Sequence, residues 1–204
     1  MKTENVIVYI DGYNLYYGLR EKGWKWAYWL NLEKLAGELL KPWQKLVAVK
    51  YFTSVVTQPP DRHRRQSIFL EALQTLPKVQ IFYGHFVSDT VECWRCRHSY
   101  QTHHEKMTDV NIAVELLTDC FQNNLDVALL VSADSDLVGV IEKGQRVFGK
   151  RMVVVFPPGR NANRLKNSAF ACLHISRNIL IRSLFPDEVI KPDGFILRRP
   201  AEWR

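Results

Sequence analysis

The sequence has only four cysteines in 204 residues, and none of its apolar runs approaches the length of a membrane span. Its first residues pass from a short polar lead directly into a strand-like run, without the apolar h-region and cleavage site of a signal peptide. Repeats and low-complexity tracts are also absent. These absences argue against membrane-spanning, fibrous and disulfide-rich secreted classes, so we expect a cytoplasmic protein with a single core.

A glycine-rich phosphate loop is missing too, which argues against nucleotide-binding folds that are built on such a loop. Hydrophobic residues make up 47% of the chain, enough for a substantial core. Lys and Arg outnumber Asp and Glu by 28 to 21. This basic excess is compatible with a polyanionic partner. The basic cluster at residues 62–65 is explained more simply as a solvated helix face.

Short β-branched runs alternate with helical patterns along the chain, which predicts an α/β fold with a parallel sheet between two layers of helices. The clearest predicted helix spans residues 107–121, with an apolar face at i, i+3, i+4 and i+7 formed by Val110, Ala113, Val114 and Leu117. The predicted strands are residues 5–10, 45–54, 79–86, 127–132, 151–156 and 173–176.

One segment breaks this alternation. We therefore predict a single domain over residues 1–185, with a Cys/His-containing hairpin inserted at about residues 88–105. Residues 186–204 are rich in proline and are predicted to form a C-terminal surface tail.

Polar side chains follow two of the predicted strands at the points where the strands end. The first strand ends in Y-I-D-G-Y-N, with Asp11 at its tip and Asn14 three residues later. The strand at 127–132 is followed by S-A-D-S-D, which contains Asp134 and Asp136. Because the carboxyl ends of parallel strands share one edge of a sheet, we expect these side chains to lie close together.

A further acid, Asp109, stands on the first turn of the predicted helix at 107–121. Each acid has a simpler explanation: Asp11 in a turn, Asp136 as an N-cap, and Asp109 at a helix N-terminus. Four carboxylates that converge repel one another, however, and a hard divalent cation bound by oxygen ligands relieves that repulsion. Mg²⁺ or Mn²⁺ held by carboxylates suits phosphate chemistry.

The segments Y-I-D-G-Y-N-L, E-K-M-T-D-V-N-I-A and V-S-A-D-S-D-L resemble, in this order, the three signatures of NYN domains. These are relatives of PIN-domain nucleases and share their Rossmann-like parallel sheet. The resemblance covers residues 6–175, and the closing proline–tryptophan pattern resembles bacterial members of the LabA-like type. One departure is Ala133, where the family usually has glycine, and its methyl group is tolerable if φ stays negative.

The resemblance implies a PIN-like, metal-dependent ribonuclease fold with Asp11, Asp109, Asp134 and Asp136 at the metal-binding positions. Asp11 and Asp134 are our first choice as direct ligands. Asp109 and Asp136 then bind through water or complete a second metal site. Asn14 is expected to orient a water molecule or a phosphate oxygen, which makes it a candidate catalytic residue beside the four acids.

The implied partner is RNA. We expect it to be single-stranded, because a cleft with an acid cluster must admit one strand. Candidate contacts are Ser132, Arg160, Arg164 and Lys166. Tyr13, Tyr16 and Tyr17 can stack on bases, although aromatic residues in such a helix are more often core residues. Members of such folds often form homodimers, but the sequence does not define the oligomeric state.

The inserted hairpin contains Cys93 and Cys96 at metal-ligand spacing, followed by His98, His103 and His104. A structural Zn²⁺ bound by Cys93, Cys96, His98 and His103 is one interpretation. A reduced hairpin with exposed histidines is the other, and the sequence does not decide between them. A redox role lacks the strand-to-helix context that it needs.

Two other functions compete with hydrolysis of RNA. A non-catalytic RNA-binding or regulatory module on the same fold is supported only by the departure at Ala133, and the four retained acids argue against it. A phosphatase with an aspartyl nucleophile is the second. It would need a D-x-D pattern after the first strand, but position 13 is tyrosine. The metal-dependent ribonuclease is therefore the leading hypothesis.

Overall fold

Six parallel strands form the central sheet in the computed structural model, which describes residues 3–204 except for the side chains of residues 85–91 and 100–106. The sheet order is β3-β2-β1-β6-β7-β8, and every neighbouring pair is parallel. In chain order the strands are β1 (Glu4–Asp11), β2 (Gln44–Thr53), β3 (Val79–Tyr83), β4 (His85–Glu92), β5 (Ser99–Lys106), β6 (Val127–Val131), β7 (Arg151–Phe156), β8 (Ala171–His174), β9 (Glu188–Ile190) and β10 (Ile196–Arg198).

The chain reverses its direction of progress across the sheet between β1 and β6. It builds outward from β1 through β2 to β3, and then returns to β6 on the other side of β1. In open parallel sheets such a switch point leaves a crevice beyond the carboxyl ends of the two central strands. The predicted acids follow the ends of these two strands.

Helices cover both faces of the sheet, so the predicted three-layer architecture is confirmed. One core lies under α1, α2, α3 and α7, and the other lies under α4, α5 and α6. The helices are α1 (Gly12–Glu21), α2 (Leu32–Leu39), α3 (Pro60–Gln74), α4 (Thr108–Phe121), α5 (Val138–Arg146), α6 (Asn163–Ser168) and α7 (Arg177–Arg182), with 3₁₀ turns at Lys25–Tyr28, Ser135–Leu137 and Ala201–Trp203. Within the described part of the chain, none of these helices has both the length and the apolar character needed to cross a membrane.

The helix predicted at 107–121 is present as α4, but its predicted buried face is wrong. Val110 and Val114 are more than half exposed, whereas Ile112, Leu116 and Cys120 are buried. The sequence carries two overlapping apolar stripes at helical spacing, and α4 turns the second stripe toward the sheet. This rotation also leaves Asp109 in contact with solvent.

The strand predicted at 79–86 is interrupted at Gly84. β3 ends at Tyr83, and β4 begins at His85 and pairs antiparallel with β5 in a separate two-stranded ribbon. The last residues form a second small ribbon, β9 with β10, and Val189 and Leu197 add buried side chains to the core. The division of the chain at residue 185 stays a prediction.

Candidate metal-binding active site

Asp11 is the last residue of β1 and also the N-cap of α1. Its Oδ1 accepts a hydrogen bond from the backbone N–H of Asn14 at 2.9 Å, which is the usual capping contact. The neighbouring Gly12 allows this tight entry into the helix, because a Cβ there would lie 2.6 Å from the carbonyl oxygen of Phe52. The carboxylate is only 2% exposed. Burial raises the pKa of Asp11 above its ordinary value, although the bonds from Asn14 and Ser132 oppose that shift.

Asp134 occupies the corresponding position after β6. It is the N-cap of the 3₁₀ turn Ser135–Leu137, and its Oδ1 accepts a hydrogen bond from the backbone N–H of Asp136 at 2.9 Å. The expectation that Asp136 is the cap is therefore wrong, because the cap lies two residues earlier. Asp136 is instead exposed.

A continuous set of hydrogen bonds joins the ends of β1 and β6. Ser132 Oγ donates to Asp11 Oδ2 at 3.0 Å and accepts from the backbone N–H of Asp134 at 3.0 Å. Asn14 Nδ2 donates to the same Asp11 oxygen at 2.6 Å, and Asn14 Oδ1 accepts from the backbone N–H of Ala133 at 3.3 Å. Two polar side chains thus fix the separation of the two capping aspartates.

These contacts involve two of the predicted site residues. Ser132 is fully buried and its hydroxyl donates to Asp11, and its contact with RNA stays a prediction. Asn14 holds Asp11 and the backbone just after β6 with the two ends of its amide, and its role toward a water or a phosphate also stays a prediction. Ala133 is not among the residues with positive φ, so the methyl group at this position is tolerated.

Asp109 approaches from the opposite side, at the start of α4. The residue before that helix, Met107, has a left-handed backbone with φ of 81°, which is unusual for a residue other than glycine. Desolvation raises the pKa of Asp109 to about 6, and the charges of Asp134, Asp11 and Asp136 add to that shift. Asp109 is therefore close enough to the other three predicted acids for their charges to act on it.

A cavity of about 320 Å³ lies between these elements, and we call it the acid cavity. Asp11, Asp109 and Asp134 contribute to its lining, together with Asn14. Its other lining residues are Tyr13, Tyr17, Met107, Thr108, Val110 and Arg160. Asp136 is not among them, so the structure brings three of the four predicted acids to one cavity.

Of the three predicted basic contacts, only Arg160 lines the acid cavity. Its Nη2 is 2.5 Å from Glu21 Oε1, and its guanidinium lies 5.9 Å from the ring centroid of Tyr17. Its buried Nε has no hydrogen-bond partner within the described residues. Arg164 and Lys166 are exposed on α6 and do not line the cavity.

The carboxylates that line the acid cavity suit a hard divalent cation. Within the described residues, no three His, Cys, Asp or Glu side chains are close enough together to hold one ion between them. Two carboxylates and the surrounding space instead suit Mg²⁺ or Mn²⁺, because such ions keep several waters and take only one or two protein carboxylates. Among the described residues that line the acid cavity there are carboxylate oxygens but no histidine or cysteine, the side chains that Zn²⁺ prefers.

The sequence profile of the NYN domain matches residues 5–175, which is most of the chain. The chain belongs to the NYN domain family. NYN domains are PIN-like relatives of nucleases that act on RNA, and the three-layer sheet with acids at its switch point is the ribonuclease-like fold of that family.

Two similar proteins place this NYN domain among its relatives. 6-Hydroxy-3-succinoylpyridine 3-monooxygenase HspA of Pseudomonas putida is 26% identical over 198 residues, covering 76% of this chain and 61% of that protein. The chain thus spans about three fifths of the length of this curated relative. A protein of unknown function from Vibrio parahaemolyticus is similar in structure, with a TM-score of 0.58 and 16% identity over 90% of this chain and 97% of that one. The second similarity shows the fold alone.

The Cys/His hairpin of the NYN domain keeps both of its interpretations. Cys93 and Cys96 are free thiols in the turn between β4 and β5, where the N–H of Arg97 donates to the carbonyl oxygen of Cys93 at 2.7 Å. Backbone N–H groups of Cys96 and Arg95 and the Cys96 side chain lower the pKa of the Cys93 thiol. The side chain of His103 lies outside the described residues, so a zinc site with His98 and His103 stays a prediction.

The sequence reasoning missed how closely α1 approaches the loop after β7. A Cβ at Gly18 would lie 2.7 Å from the carbonyl oxygen of Pro158 and 3.3 Å from Cγ of Arg160. Glycine at this position therefore allows Arg160 to reach the acid cavity. In the sequence, no pattern around Tyr17 and Gly18 or in the Pro157–Gly159 turn indicates that these two segments are in contact.

Proposed function

We propose that this NYN domain is a metal-dependent ribonuclease that hydrolyses phosphodiester bonds of RNA. The observation that carries the proposal is the convergence of Asp11, Asp109 and Asp134 on one cavity at the switch point of the sheet. Carboxylates placed this close together repel one another and destabilise the folded protein unless a cation binds between them. The family membership supports RNA as the substrate.

Asp11 and Asp134 are the proposed direct ligands of Mg²⁺ or Mn²⁺, with Asp109 and Asp136 acting through water. When bound, such an ion supplies positive charge for the scissile phosphate and lowers the pKa of a water molecule. The ordered contacts of Ser132 and Asn14 hold the two ligands in place before substrate arrives.

The protein's own groups have distinct proposed roles in the reaction. Arg160, whose Nε has no hydrogen-bond partner in the described structure, donates to a phosphate oxygen of the bound strand. Asp109 has a pKa of about 6 and can accept a proton from the attacking water near neutral pH. Tyr17 and Met107 give the cavity apolar walls against which a base or ribose can pack.

The experiment is cleavage of end-labelled single-stranded RNA by the pure protein in Mg²⁺ or Mn²⁺. Asp134→Asn, which keeps the shape of the side chain and removes its charge, is expected to reduce the rate by about 100-fold or more, because the charge acts in the transition state. Addition of EDTA is expected to abolish cleavage. Glu142→Gln, a change on α5 that does not line the acid cavity, is the matched control.

Tight binding of RNA without cleavage, unchanged in Asp134→Asn, would contradict the proposal. That outcome would make the chain an RNA-binding module on a nuclease fold. Cleavage by Asp134→Asn at the wild-type rate would show that the activity comes from a contaminating nuclease or from another site.

The curated relative points to a second candidate function, oxygenation of a small heteroaromatic acid. The observation that favours it is a second cavity beside the first, which is lined by aromatic side chains and has room for such a ring. It ranks lower because the relative is only 26% identical and extends well beyond this chain. Cleavage of RNA in the absence of oxygen and of any reductant separates the two functions, because hydrolysis needs neither.

A further inference from the structure

The second cavity, of about 380 Å³, lies on the other side of α1 from the acid cavity. It opens between α1, the 3₁₀ turn Lys25–Tyr28 and α3. Its floor is apolar, with Leu15, Leu19 and Leu30 all nearly fully buried. A volume of this size with an apolar floor accepts a planar ring.

Aromatic side chains form the walls of this cavity. The ring centroids of Tyr16 and Tyr28 are 5.1 Å apart, and Trp203 meets Tyr28 edge to face at 5.7 Å. Trp203 comes from the C-terminal 3₁₀ turn, which is tied to α3 by an ion pair of 2.9 Å between Glu202 and Arg65. The 3₁₀ turn Ala201–Trp203 thus supplies one wall, and Tyr16 and Tyr28 supply others.

The rim of the cavity is cationic. Arg20, Lys25, Arg62 and Arg65 all line it, and Glu202 is the one acid among its lining residues. In the described part of the chain, no acidic side chain is within ion-pairing distance of Arg20, Lys25 or Arg62. A planar group that enters this cavity therefore meets uncompensated positive charge at the entrance, as an anionic substituent requires.

The two cavities adjoin and have opposite charge. Tyr13 lines both, with carboxylates on one side of it and the cationic rim on the other. We propose that the second cavity binds one nucleotide, with its base packed against the exposed sides of the Tyr28 and Trp203 rings and its phosphate at Arg62 and Arg20. In an RNA strand this is a nucleotide next to the phosphate that lies in the acid cavity. The choice of a nucleotide over other planar anions rests on the proposed ribonuclease function.

The test measures binding separately from cleavage. Nucleoside 5′-monophosphates with each of the four bases are titrated into the protein in EDTA, and the heat of binding is recorded. We expect binding to the wild-type protein, weakened at least about 5-fold by Trp203→Ala through lost stacking and by Arg62→Ala through a lost phosphate contact. Arg64→Ala, an exposed residue of the same helix that does not line the cavity, is the matched control.

A second arm distinguishes a free nucleotide from a nucleotide of RNA. A fluorescent single-stranded RNA with one abasic position, moved along the strand, is bound in EDTA and followed by anisotropy. Weaker binding at one position, lost in Arg62→Ala, identifies RNA as the source of the nucleotide. Monophosphate binding with no dependence on the abasic position identifies a free nucleotide.

Two results would overturn the nucleotide site. One is the absence of monophosphate binding together with an RNA affinity that neither Arg62→Ala nor an abasic position changes. The other is tighter binding of nicotinate, a planar carboxylate without phosphate, than of any nucleotide. Since binding is measured in EDTA, loss of the ribonuclease proposal in the cleavage assay leaves this test intact, and Asp134→Asn is expected to bind monophosphates as the wild type does.

Discussion

Helix α4 contributes carboxylates to two clusters, and the two clusters are balanced in different ways. Glu115 and Asp119 lie along the helix and are neutralised by Lys50 of β2, whose Nζ is 2.7 Å from Glu115 and 2.6 Å from Asp119. Asp109, at the start of the same helix, faces Asp11 and Asp134 across the acid cavity.

Among the described side chains, no comparable internal cation neutralises the acids of the acid cavity. Arg160 lines it but is already paired with Glu21. In the first group the chain supplies the positive charge and closes the site with the hydroxyl of Tyr9, which donates to Asp119 at 2.6 Å. For the second group, the proposed source of positive charge is a bound divalent cation. The contrast sets carboxylates paired within the fold against carboxylates proposed to bind a ligand.

The largest effect is expected from removing the internal cation. Lys50→Met leaves Asp119 buried with an uncompensated charge, so the free energy of unfolding should fall by about 3 kcal/mol or more. Lys45→Met, an exposed lysine on the same strand, should change it by less than about 0.5 kcal/mol. Urea unfolding of both variants measures the difference. Equal stability of the two would show that the Lys50 cluster is not a structural ion pair.

The second effect comes from adding an external cation. Mn²⁺ or Mg²⁺ at about 100 times its dissociation constant should raise the free energy of unfolding by about 2.7 kcal/mol, because only the folded state binds it. The increase should be reversed by EDTA and be absent in Asp134→Asn. A metal-dependent rise of the same size in that variant would place the ion elsewhere.

Smaller effects are expected from the hydrogen bonds that support each group. Ser132→Ala removes a donor from Asp11 and an acceptor from the N–H of Asp134, so metal affinity should fall by about 10- to 100-fold. Tyr9→Phe removes the matching bond to Asp119 and should cost about 1 kcal/mol of stability without changing metal affinity. Metal titration and urea unfolding of both variants test whether each hydrogen bond affects only its own group of carboxylates. Loss of metal affinity in Tyr9→Phe would indicate that the two groups are coupled through α4.

The smallest effect concerns the ionisation of Asp109, which desolvation and the neighbouring acids both disfavour. Asp109 has a pKa of about 6 in the folded protein, above its ordinary 3.8, so its ionisation favours unfolding and stability falls as pH rises through that interval. In EDTA near pH 7.5, Asp109→Asn should be more stable than the wild type by less than about 1 kcal/mol, because solvent screens this exposed carboxylate. The difference should shrink as the pH falls and vanish below about pH 3, where Asp109 is protonated in both the folded and the unfolded protein. An Asp109→Asn variant less stable than the wild type at the higher pH would contradict the raised pKa.

The sequence predicted the sheet and the acids because both depend on local patterns. Strands covered on two faces are continuous apolar runs, and the edge at which Asp11 and Asp134 emerge follows from parallel topology. The buried face of α4 was not predictable in the same way. The stripe that begins at Val110 is apolar throughout, whereas the stripe from Ile112 has Glu115 at i+3 and Asp119 at i+7. Only the packing of the helix against β1 and β2 selects the second stripe.

Contacts between distant segments were also beyond the sequence. Asp11 is only 2% exposed, and the hydrogen bond that it accepts from Ser132 joins residues 121 positions apart. The cationic rim combines α1, a 3₁₀ turn and α3, although its arginines at 62 and 65 read as an ordinary solvated helix face in the sequence. A basic residue becomes informative only when the fold shows which cavity it borders.

The capping role of Asp11 also limits how it can hold an ion. A carboxylate offers about four lone-pair directions. Three are already occupied, by the backbone N–H of Asn14, by Asn14 Nδ2 and by Ser132 Oγ. Asp134 accepts only the N–H of Asp136 among its described hydrogen bonds, which leaves three. The buried aspartate can therefore serve as a monodentate ligand at most, whereas Asp134 has the free coordination capacity to bind in a bidentate mode or to bridge two ions.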